Sequence, residues 1–335
     1  MDIKQIHALI NNRSLPGNYC KSSLTETHIS WIILTDDFAY KIKRPARFSF
    51  VDFSSLDKRK HFCKKELQLN SRLAPEMYID VLPVTKNMVE AETENVEEEI
   101  IDFAVQMKRM DNSREMDKML GRNEVTAGEI DRLAIKIADF HNRVDIIDKP
   151  FDVDDIQETY SDIETVTPYL KEKAGKEMLS KVTDCIDGSN RFLKENAALI
   201  NERVMRGYRR DCHGDLNSYN IFLYPDPVIF DCVEFNDEFR QIDVLNDIAF
   251  LCVDLDFFGR EDLSELFCRS YQNYYGMSDT AETRMLLNYY KSFRANIRAK
   301  VTLISASKSD PGKNTREISD AGKYIDLMEK YSKGT

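Results

Sequence analysis

Residues 212–237, CHGDLNSYNIFLYPDPVIFDCVEFND, constrain the fold more than any other stretch of this sequence. Two short apolar runs, IFL and VIF, flank the linker YPDP. The two prolines fix φ and remove ladder donors, so the linker predicts a turn between two short strands. Asn220 precedes the first strand and Asp231 follows the second. A hairpin of this size therefore brings both side chains back to the same end.

The same stretch carries a spacing that is typical of phosphoryl transfer. His213, Asp215 and Asn220 follow the pattern H-x-D-x-x-x-x-N, and Asp231 comes after the next strand, as in the catalytic loop of kinases. Asn220 and Asp231 supply hard oxygen ligands for Mg²⁺, and Asp215 is placed to accept a proton from an attacking hydroxyl. The alternative is that Asp215, Asn220 and Asp231 are ordinary turn or capping residues. Their combined spacing favours the catalytic interpretation over this alternative.

The motifs HGDLNSYN and IFDCVEFND resemble the aminoglycoside phosphotransferase-like family of the protein-kinase-like superfamily, which includes antibiotic, choline and homoserine kinases. That family favours Gly after the His, where protein kinases usually have Arg. The segments ETHISWIILTDDFAYKIKRP, ELQLNSRLAP and IDVLNDIAFL extend the resemblance from about residue 20 to about residue 305 and are similar to an uncharacterised bacterial branch. The resemblance implies an α+β, protein-kinase-like two-lobed fold with a β-rich N-lobe containing one helix and a mostly helical C-lobe.

On this basis we expect a nucleotide-binding lobe at 1–106, a hinge at 107–110, and a catalytic and acceptor-binding lobe at 111–335. The resemblance places ATP between the lobes. Met107 and Arg109 then lie near the adenine, where backbone N–H and C=O groups read the base edge.

The phosphate-binding side chains come from the N-terminal part of the chain. FAYK, which ends at Lys41, matches the V-A-I-K pattern of the third kinase strand, and Lys43 is the second candidate for the phosphate lysine. Glu66 is the only acid in the central turns of a helix predicted over 54–73, so we expect it to pair with Lys41. Residues 19–35 contain no glycine, and the glycine-rich phosphate loop of kinases is therefore missing.

Four further residues are interpreted through the resemblance. His213 belongs to the catalytic loop and is expected to brace it without reacting, and His141 is expected to be structural. Asp247, near the start of a predicted helix, is expected to support the catalytic loop. Glu234 follows Asp231 by three residues and is either a contact to the metal or acceptor or an ordinary acid.

Two charged stretches bear on the acceptor. Lys291, Arg294 and Arg298 fall on one helix face, which predicts either a solvated basic edge or a surface for an anionic acceptor. The acidic run over 89–99 predicts a solvated turn, with an acidic collar for a cationic acceptor as the alternative.

Several elements are predicted from local pattern alone. Strands are expected at 26–30, 31–34 and 38–42, and residues 145–160 are predicted to be a loop. Residues 163–205 are predicted to form two helices, separated at Gly175 or at Asp187-Gly188. The polar tail after Ser305 is expected to fray in part.

Composition narrows the partners. The net charge is −11 and the sequence pI is about 5.1, which argues against general nucleic-acid binding and gives no reason to expect a membrane partner. Scattered cysteines without a C-x-x-C pair favour a reduced, cytoplasmic protein. The seven are Cys20, Cys63, Cys185, Cys212, Cys232, Cys252 and Cys268. A monomer is expected, although the sequence leaves the oligomeric state open.

The sequence therefore predicts an ATP- and Mg²⁺-dependent phosphotransferase that moves the γ-phosphate to a hydroxyl of a small-molecule acceptor. The alternative is a non-enzymatic nucleotide-binding module of the pseudokinase type, favoured by the missing glycine-rich loop. A protein kinase is disfavoured by His-Gly-Asp and by the lack of an APE-like segment soon after Asp231.

Overall fold

A computed structural model of the chain describes residues 1–48, 51–90 and 99–335. Most of the acidic run predicted over 89–99 lies outside these residues. Two units, neither continuous in sequence, make up the chain: unit 1 comprises Met1–Glu115 and Asn220–Phe239, and unit 2 comprises Met116–Tyr219 and Arg240–Thr335.

The strands are numbered in chain order. They are β1 (Ser23–Glu26), β2 (Ser30–Leu34), β3 (Phe38–Lys43), β4 (Arg47–Phe48), β5 (Val51–Asp52), β6 (Tyr78–Thr85), β7 (Ile100–Lys108), β8 (Arg209–Asp211), β9 (Ile221–Phe222), β10 (Val228–Ile229) and β11 (Gln241–Asp243). The α-helices are α1 (Ile3–Asn11), α2 (Leu56–Asn70), α3 (Lys86–Val89), α4 (Met116–Gly121), α5 (Ala127–Arg143), α6 (Val153–Ser161), α7 (Thr167–Met205), α8 (Val244–Phe257), α9 (Glu261–Tyr275), α10 (Ala281–Ala306) and α11 (Pro311–Ser332).

Unit 1 is built on a five-stranded antiparallel sheet with the order β1-β2-β3-β7-β6. Successive side chains of a strand point to opposite faces, and β3 shows this clearly. Tyr40 and Ile42 pack into the apolar cluster that contains α1, whereas Ala39 packs into the cluster that contains Cys63 of α2. The same alternation places Lys41 and Lys43, which are two residues apart, together on the α2 face.

The strand predicted over 26–30 is wrong, because most of this segment is the turn between β1 and β2. The Thr27 hydroxyl accepts hydrogen bonds from the N–H groups of Ile29 (3.3 Å) and Ser30 (2.9 Å), and the Thr27 N–H donates to the Ser30 carbonyl (2.9 Å). Local side-chain bonds of this kind compete with a sheet ladder for the same backbone groups. The first strand is displaced toward the N-terminus, where β1 pairs with β2.

Unit 2 is mostly helical, and its core joins residues from α6, α7, α8, α10 and α11. The helix α7 is interrupted by non-helical backbone at Gly175, where φ is 86°, and continues through Gly188. Of the two breaks left open by the sequence, the structure therefore selects Gly175. Only glycine adopts such a positive φ without steric cost.

Two predictions of irregular structure in unit 2 are wrong. The loop predicted over 145–160 instead contains most of the helix α6 (Val153–Ser161). Asp152 caps this helix, because its side chain accepts a hydrogen bond from the Asp154 N–H (2.9 Å). The tail after Ser305 contains the 22-residue helix α11, whose Tyr324, Ile325 and Met328 are buried in the unit 2 core. The many polar residues on the exposed face of α11 made the segment look irregular in the sequence, although an apolar stripe on its other face packs into the core.

These elements confirm the predicted α+β class with an antiparallel sheet and a largely helical remainder. The segment Asn220–Phe239 makes its main contacts within unit 1, and β7 runs through Lys108, past the predicted start of the hinge at 107. The lobe boundaries at 1–106, 107–110 and 111–335 stay predictions. Across the described parts of the chain, no helix is both long and apolar enough to cross a lipid bilayer.

Candidate active site

Most of the predicted site residues belong to two networks, one in each unit. In unit 1 the fully buried carboxylate of Glu66 on α2 binds two lysines of β3 at once. Its Oε1 lies 2.9 Å from Lys41 Nζ, and its Oε2 lies 2.6 Å from Lys43 Nζ. The predicted Lys41–Glu66 ion pair is therefore present. Lys43, the second candidate from the sequence, occupies the other oxygen of the same carboxylate.

Asp231 extends this network toward solvent. Its Oδ1 lies 2.5 Å from Lys41 Nζ, and its side chain is 41% exposed, compared with 11% for Lys41. The backbone of Asp231 has a φ of 62°, in the left-handed region, and its N–H donates to the Tyr78 hydroxyl (3.3 Å). Non-glycine residues in this conformation persist where surrounding contacts fix them, and they are enriched at functional sites.

Glu234 completes the network from the buried side. It is 3% exposed, and its carboxylate binds the ammonium group of Lys43, which is itself fully buried. This contact disfavours the alternative in which Glu234 touches a metal ion or acceptor at the surface. Lys41, Lys43, Glu66, Asp231 and Glu234 are called the unit 1 cluster below.

The ionisation of the cluster follows from its charges. Burial alone would lower the pKa of Lys41, but Asp231 and Glu66 raise that pKa well above its ordinary value. Burial alone would raise the pKa of Glu66, but Lys41 and Lys43 lower it to about 2. Burial raises the pKa of Glu234, and Lys43 opposes that rise. Burial alone would lower the pKa of Lys43, but Glu234 and Glu66 raise it. The two lysines and Glu66 are therefore charged at neutral pH.

The predicted hairpin is present in unit 1. β9 and β10 pair antiparallel, with Phe222 opposite Val228 and Ile221 opposite Ile229. The N–H of Phe230 donates to the carbonyl of Asn220 (3.0 Å), so Asn220 and Asp231 flank the same end of the hairpin. Asn220 is 7% exposed. The turn chemistry of YPDP and the two apolar runs thus positioned these side chains as the sequence predicted.

In unit 2 the catalytic-loop motif is held through its backbone by Asp247 of α8. The carboxylate of Asp247 accepts from the N–H groups of His213 (3.1 Å) and Gly214 (2.8 Å) and lies 3.0 Å from His141 Nε2. The N–H of Asp215 donates to His213 Nδ1 (3.3 Å). The expected supporting roles of Asp247, His141 and His213 agree with these contacts.

Hydrogen bonding to the carboxylate of Asp247 keeps its pKa low in the folded chain. Burial alone would raise its pKa, but the His141 hydrogen bond and the nearby positive groups lower it to about 2. Hydrogen bonds to the charged form of a carboxylate favour that form.

The sequence reasoning missed a second anchor of the same loop. The Nδ2 of Asn217 donates to Asp215 Oδ1 (2.9 Å), and both the N–H (3.0 Å) and the hydroxyl (2.8 Å) of Ser218 donate to Asp254 Oδ2. Asp254 is one of several acids in DIAFLCVDLDF, and the sequence offered no signal to separate it from the others. The loop residues 213–218 together with Asp247, Asp254 and His141 are called the unit 2 loop network.

Three basic side chains of α10 pack against acidic or carbonyl oxygens of unit 2, and the predicted solvated edge is wrong: Lys291, Arg294 and Arg298. Lys291 Nζ lies 2.6 Å from Asp256, and Arg298 Nε lies 3.5 Å from Asp254. Arg294 is buried and donates to the Gly214 carbonyl (3.3 Å). The face is not a solvated edge, because α8 supplies its counter-charges, and its role toward an anionic acceptor stays a prediction.

Met107 and Arg109 lie in unit 1, apart from the cluster. Met107 is buried within the paired part of β7, opposite Ala39. The guanidinium of Arg109 donates to the Thr35 carbonyl, and its N–H donates to the Asp37 carbonyl (2.9 Å). Their predicted role near a nucleotide base stays a prediction.

The turn between β1 and β2 occupies the position of the missing glycine-rich loop. Three of its N–H groups, those of Thr27, Ile29 and Ser30, are bonded within the turn. These three backbone N–H groups are therefore already hydrogen-bonded within the turn, whereas the N–H groups of a glycine-rich loop face phosphate.

The fold is similar to those of solved phosphotransferase and choline kinase structures. Alignment with the GDP and kanamycin complex of APH(2″)-IIIa covers 98% of both chains, with 14% identity and a TM-score of 0.54. A choline kinase from Cryptosporidium parvum Iowa II aligns over 98% of this chain and 95% of its own, with 12% identity and a TM-score of 0.56. The GDP complex of aminoglycoside 2′-phosphotransferase-IIIa aligns over 99% of both chains, with 16% identity and a TM-score of 0.51. The chain thus has the protein-kinase-like fold of these enzymes.

By sequence, the chain is similar to uncharacterised mycobacterial proteins. Rv2004c of Mycobacterium tuberculosis and Mb2027c of Mycobacterium bovis are each 29% identical to it over 291 residues, or 85% of this chain. The chain spans about half, 55%, of the length of these relatives. No family model matches the chain.

Proposed function

We propose that this chain is a nucleotide- and Mg²⁺-dependent phosphotransferase that transfers a γ-phosphate to a hydroxyl of a small molecule, with ATP as the expected donor. The observation that carries the proposal is the contact between Lys41 Nζ and Asp231 Oδ1 beside the buried Glu66. A lysine paired with a helix glutamate and an aspartate after the catalytic hairpin are the phosphate and metal partners of kinases.

Within unit 1, Lys41 binds the phosphates of the nucleotide while Glu66 fixes the position of its ammonium group. The donor set fits Mg²⁺, because Asp231 offers a partly exposed carboxylate and Asn220 an amide oxygen beside the same hairpin end. Asn220 and Asp231 would hold the ion, which when bound neutralises negative charge on the terminal phosphates.

Within unit 2, Asp215 orients the acceptor hydroxyl and accepts its proton. The acceptor oxygen forms a bond to the γ-phosphorus, the bond from that phosphorus to the nucleoside diphosphate oxygen breaks, and the diphosphate leaves. His213 and Asp247 hold the loop in place and take no proton in this step. The Asn217 amide, which donates to Asp215 Oδ1 at 2.9 Å, keeps that carboxylate oriented.

The proposed acceptor is a small molecule with a free hydroxyl. Because the basic groups of α10 are already paired with acids and carbonyls, they give no support for an anionic acceptor. Aminoglycosides and amino alcohols therefore belong in the first acceptor screen, beside sugars and nucleosides. Both ATP and GTP belong in it as donors, because two of the similar structures contain GDP.

The rival proposal is a nucleotide-binding module without catalysis. The β1–β2 turn favours it, because three amides that would otherwise face phosphate are bonded within the turn. The braced Asp215 loop favours the enzyme, since binding a nucleotide requires no general base.

The test is nucleotide-induced thermal stabilisation together with nucleotide hydrolysis, each measured with and without Mg²⁺. A working kinase is expected to show Mg²⁺-dependent stabilisation and slow hydrolysis that Asp215→Asn abolishes. The matched control is Asp226→Asn, an exposed aspartate in the hairpin turn, which is expected to leave both readouts unchanged. Stabilisation with no turnover in the presence of any screened acceptor would favour the binding module. Absence of nucleotide binding would refute both proposals.

A further inference from the structure

We infer that Lys43 and Glu234 are positioning residues, whose buried ion pair holds the segment 231–234 so that Asp231 presents its carboxylate to a metal-bound nucleotide. The inference rests on the proposed function and deepens it. It concerns the second lysine of β3, which the lysine–glutamate pair of a kinase does not require.

Lys43 contacts two carboxylates that belong to different parts of unit 1. Lys43 Nζ binds Glu66 (2.6 Å) on one side and Glu234 on the other, and all three side chains are almost completely buried. Glu66 in turn binds Lys41, which binds Asp231. Lys43 is therefore one of the connections between the helix α2 and the chain just after Asp231.

Contacts to other parts of unit 1 fix the chain segment 231–234. The Asp231 N–H donates to the Tyr78 hydroxyl (3.3 Å), and the Cys232 N–H donates to Asn70 Oδ1 (2.8 Å). Glu234 adds the third attachment through Lys43. A positive φ at Asp231 requires such external fixation, because the conformation is not favoured by the residue itself.

Lys43 also supplies a counter-charge to Glu66. When Lys41 turns toward phosphate, Glu66 loses part of its counter-charge inside the protein, where an unpaired carboxylate is costly. Lys43 stays bound to the other oxygen of Glu66, so that this carboxylate keeps a buried ion-pair partner. Lys41 and Asp231 can thereby exchange their mutual contact for contacts to ligand atoms while Glu66 remains paired.

The experiment measures the affinity for fluorescent mant-ADP and mant-GDP with and without Mg²⁺. For each nucleotide, the readout is the ratio of the affinity with Mg²⁺ to the affinity without it. The main variant is Lys43→Met/Glu234→Gln, which removes one positive and one negative charge and leaves the Lys41–Glu66 pair intact. The matched control is Lys65→Met/Asp237→Asn. That pair also joins α2 to the segment 220–239 (2.5 Å), but it is partly exposed. Asp231→Asn serves as the reference for a lost metal ligand.

We expect the main variant to reduce the Mg²⁺-dependent gain in affinity by about ten-fold or more, as for partners that orient a metal ligand. The control pair should leave it unchanged. A folded main variant with a normal ratio, alongside a reduced ratio in Asp231→Asn, would overturn the positioning role and leave the proposed function standing. No Mg²⁺-dependent binding in the wild-type chain would refute the proposed function and this inference together.

If the main variant fails to fold, Glu234→Gln alone is measured in the same way. It retains the Lys43–Glu66 ion pair and changes only the attachment of the segment 231–234. A drop in melting temperature with an unchanged affinity ratio would assign Glu234 to stability alone and would overturn the inference.

Discussion

The unit 1 cluster and the unit 2 loop network hold their functional side chains by different kinds of contact. In unit 1, Asp231 is held by an ion pair to Lys41, between two side chains 190 residues apart in sequence. In unit 2, Asp247 accepts hydrogen bonds from the backbone N–H groups of His213 and Gly214. One network joins charged side chain to charged side chain, and the other joins a buried carboxylate to the main chain.

The difference has a consequence for how each network responds to a ligand. An ion pair such as Lys41–Asp231, with one partner 41% exposed, can be exchanged for phosphate and metal contacts at little net cost. The N–H groups bound by Asp247 are buried, and leaving them unpaired would cost about 1–3 kcal/mol each. We therefore expect the unit 1 cluster to rearrange when nucleotide binds and the unit 2 loop to be set in advance.

The largest expected effect is on the reaction itself. Asp215→Asn removes the proposed proton acceptor but keeps the shape of the braced loop, so turnover should fall by roughly 10²–10⁴. Nucleotide affinity should stay within about two-fold of wild type, because nucleotide binding is assigned to unit 1. Steady-state kinetics and mant-nucleotide titration check the two expectations, and full activity in this variant would remove Asp215 from the mechanism.

The next effect tests the brace of the unit 2 loop. Asp247→Asn leaves His141 and two backbone N–H groups facing a neutral amide, so the free energy of unfolding should fall by about 3 kcal/mol. Urea unfolding followed by circular dichroism measures it. Asp279→Asn, which removes an exposed partner of Arg284, is the matched control and should cost less than about 1 kcal/mol. Equal losses in the two variants would mean that Asp247 does not brace the loop.

A smaller effect is expected with pH. The pKa of Asp247 is lowered from 3.8 to about 2 in the folded chain, so its contribution to stability is present above about pH 4 and is lost as the pH falls toward 2. The contribution is about 2 kcal/mol. The difference in unfolding free energy between wild type and Asp247→Asn should therefore narrow as the buffer is taken from about pH 6 to about pH 3. A constant difference would contradict the assigned ionisation.

The smallest effect is expected for an ion pair that is partly exposed. Lys65→Met removes the contact to Asp237, whose side chain is 49% exposed, and should change the free energy of unfolding by less than about 1 kcal/mol. Thermal and urea unfolding measure this change. A loss as large as that of Asp247→Asn would show that burial does not separate the strong contacts of this chain from the weak ones.

Local patterns in the sequence predicted much of the fold. The strand predicted over 38–42 is present as β3, the YPDP turn placed Asn220 and Asp231 at one end of a hairpin, and the helix predicted over 54–73 is present as α2. These features depend on neighbouring residues, so the sequence carries them. The same reasoning failed at Thr27–Ser30 and in α11, where local hydrogen bonds and tertiary burial outweighed the pattern.

Pairing between distant charges was decided only by the tertiary structure. The sequence showed three basic residues on α10 and a run of acids on α8, but their matching depends on the packing of the two helices. It also presented Lys41 and Lys43 as competitors, whereas one buried glutamate binds both. The strength of an ion pair depends on the distance between the two charges in space and not on their separation in sequence. A charged side chain therefore pairs with the opposite charge that the fold places beside it. For this reason the sequence determined the side chains of the candidate site, and the tertiary structure determined which of them act together.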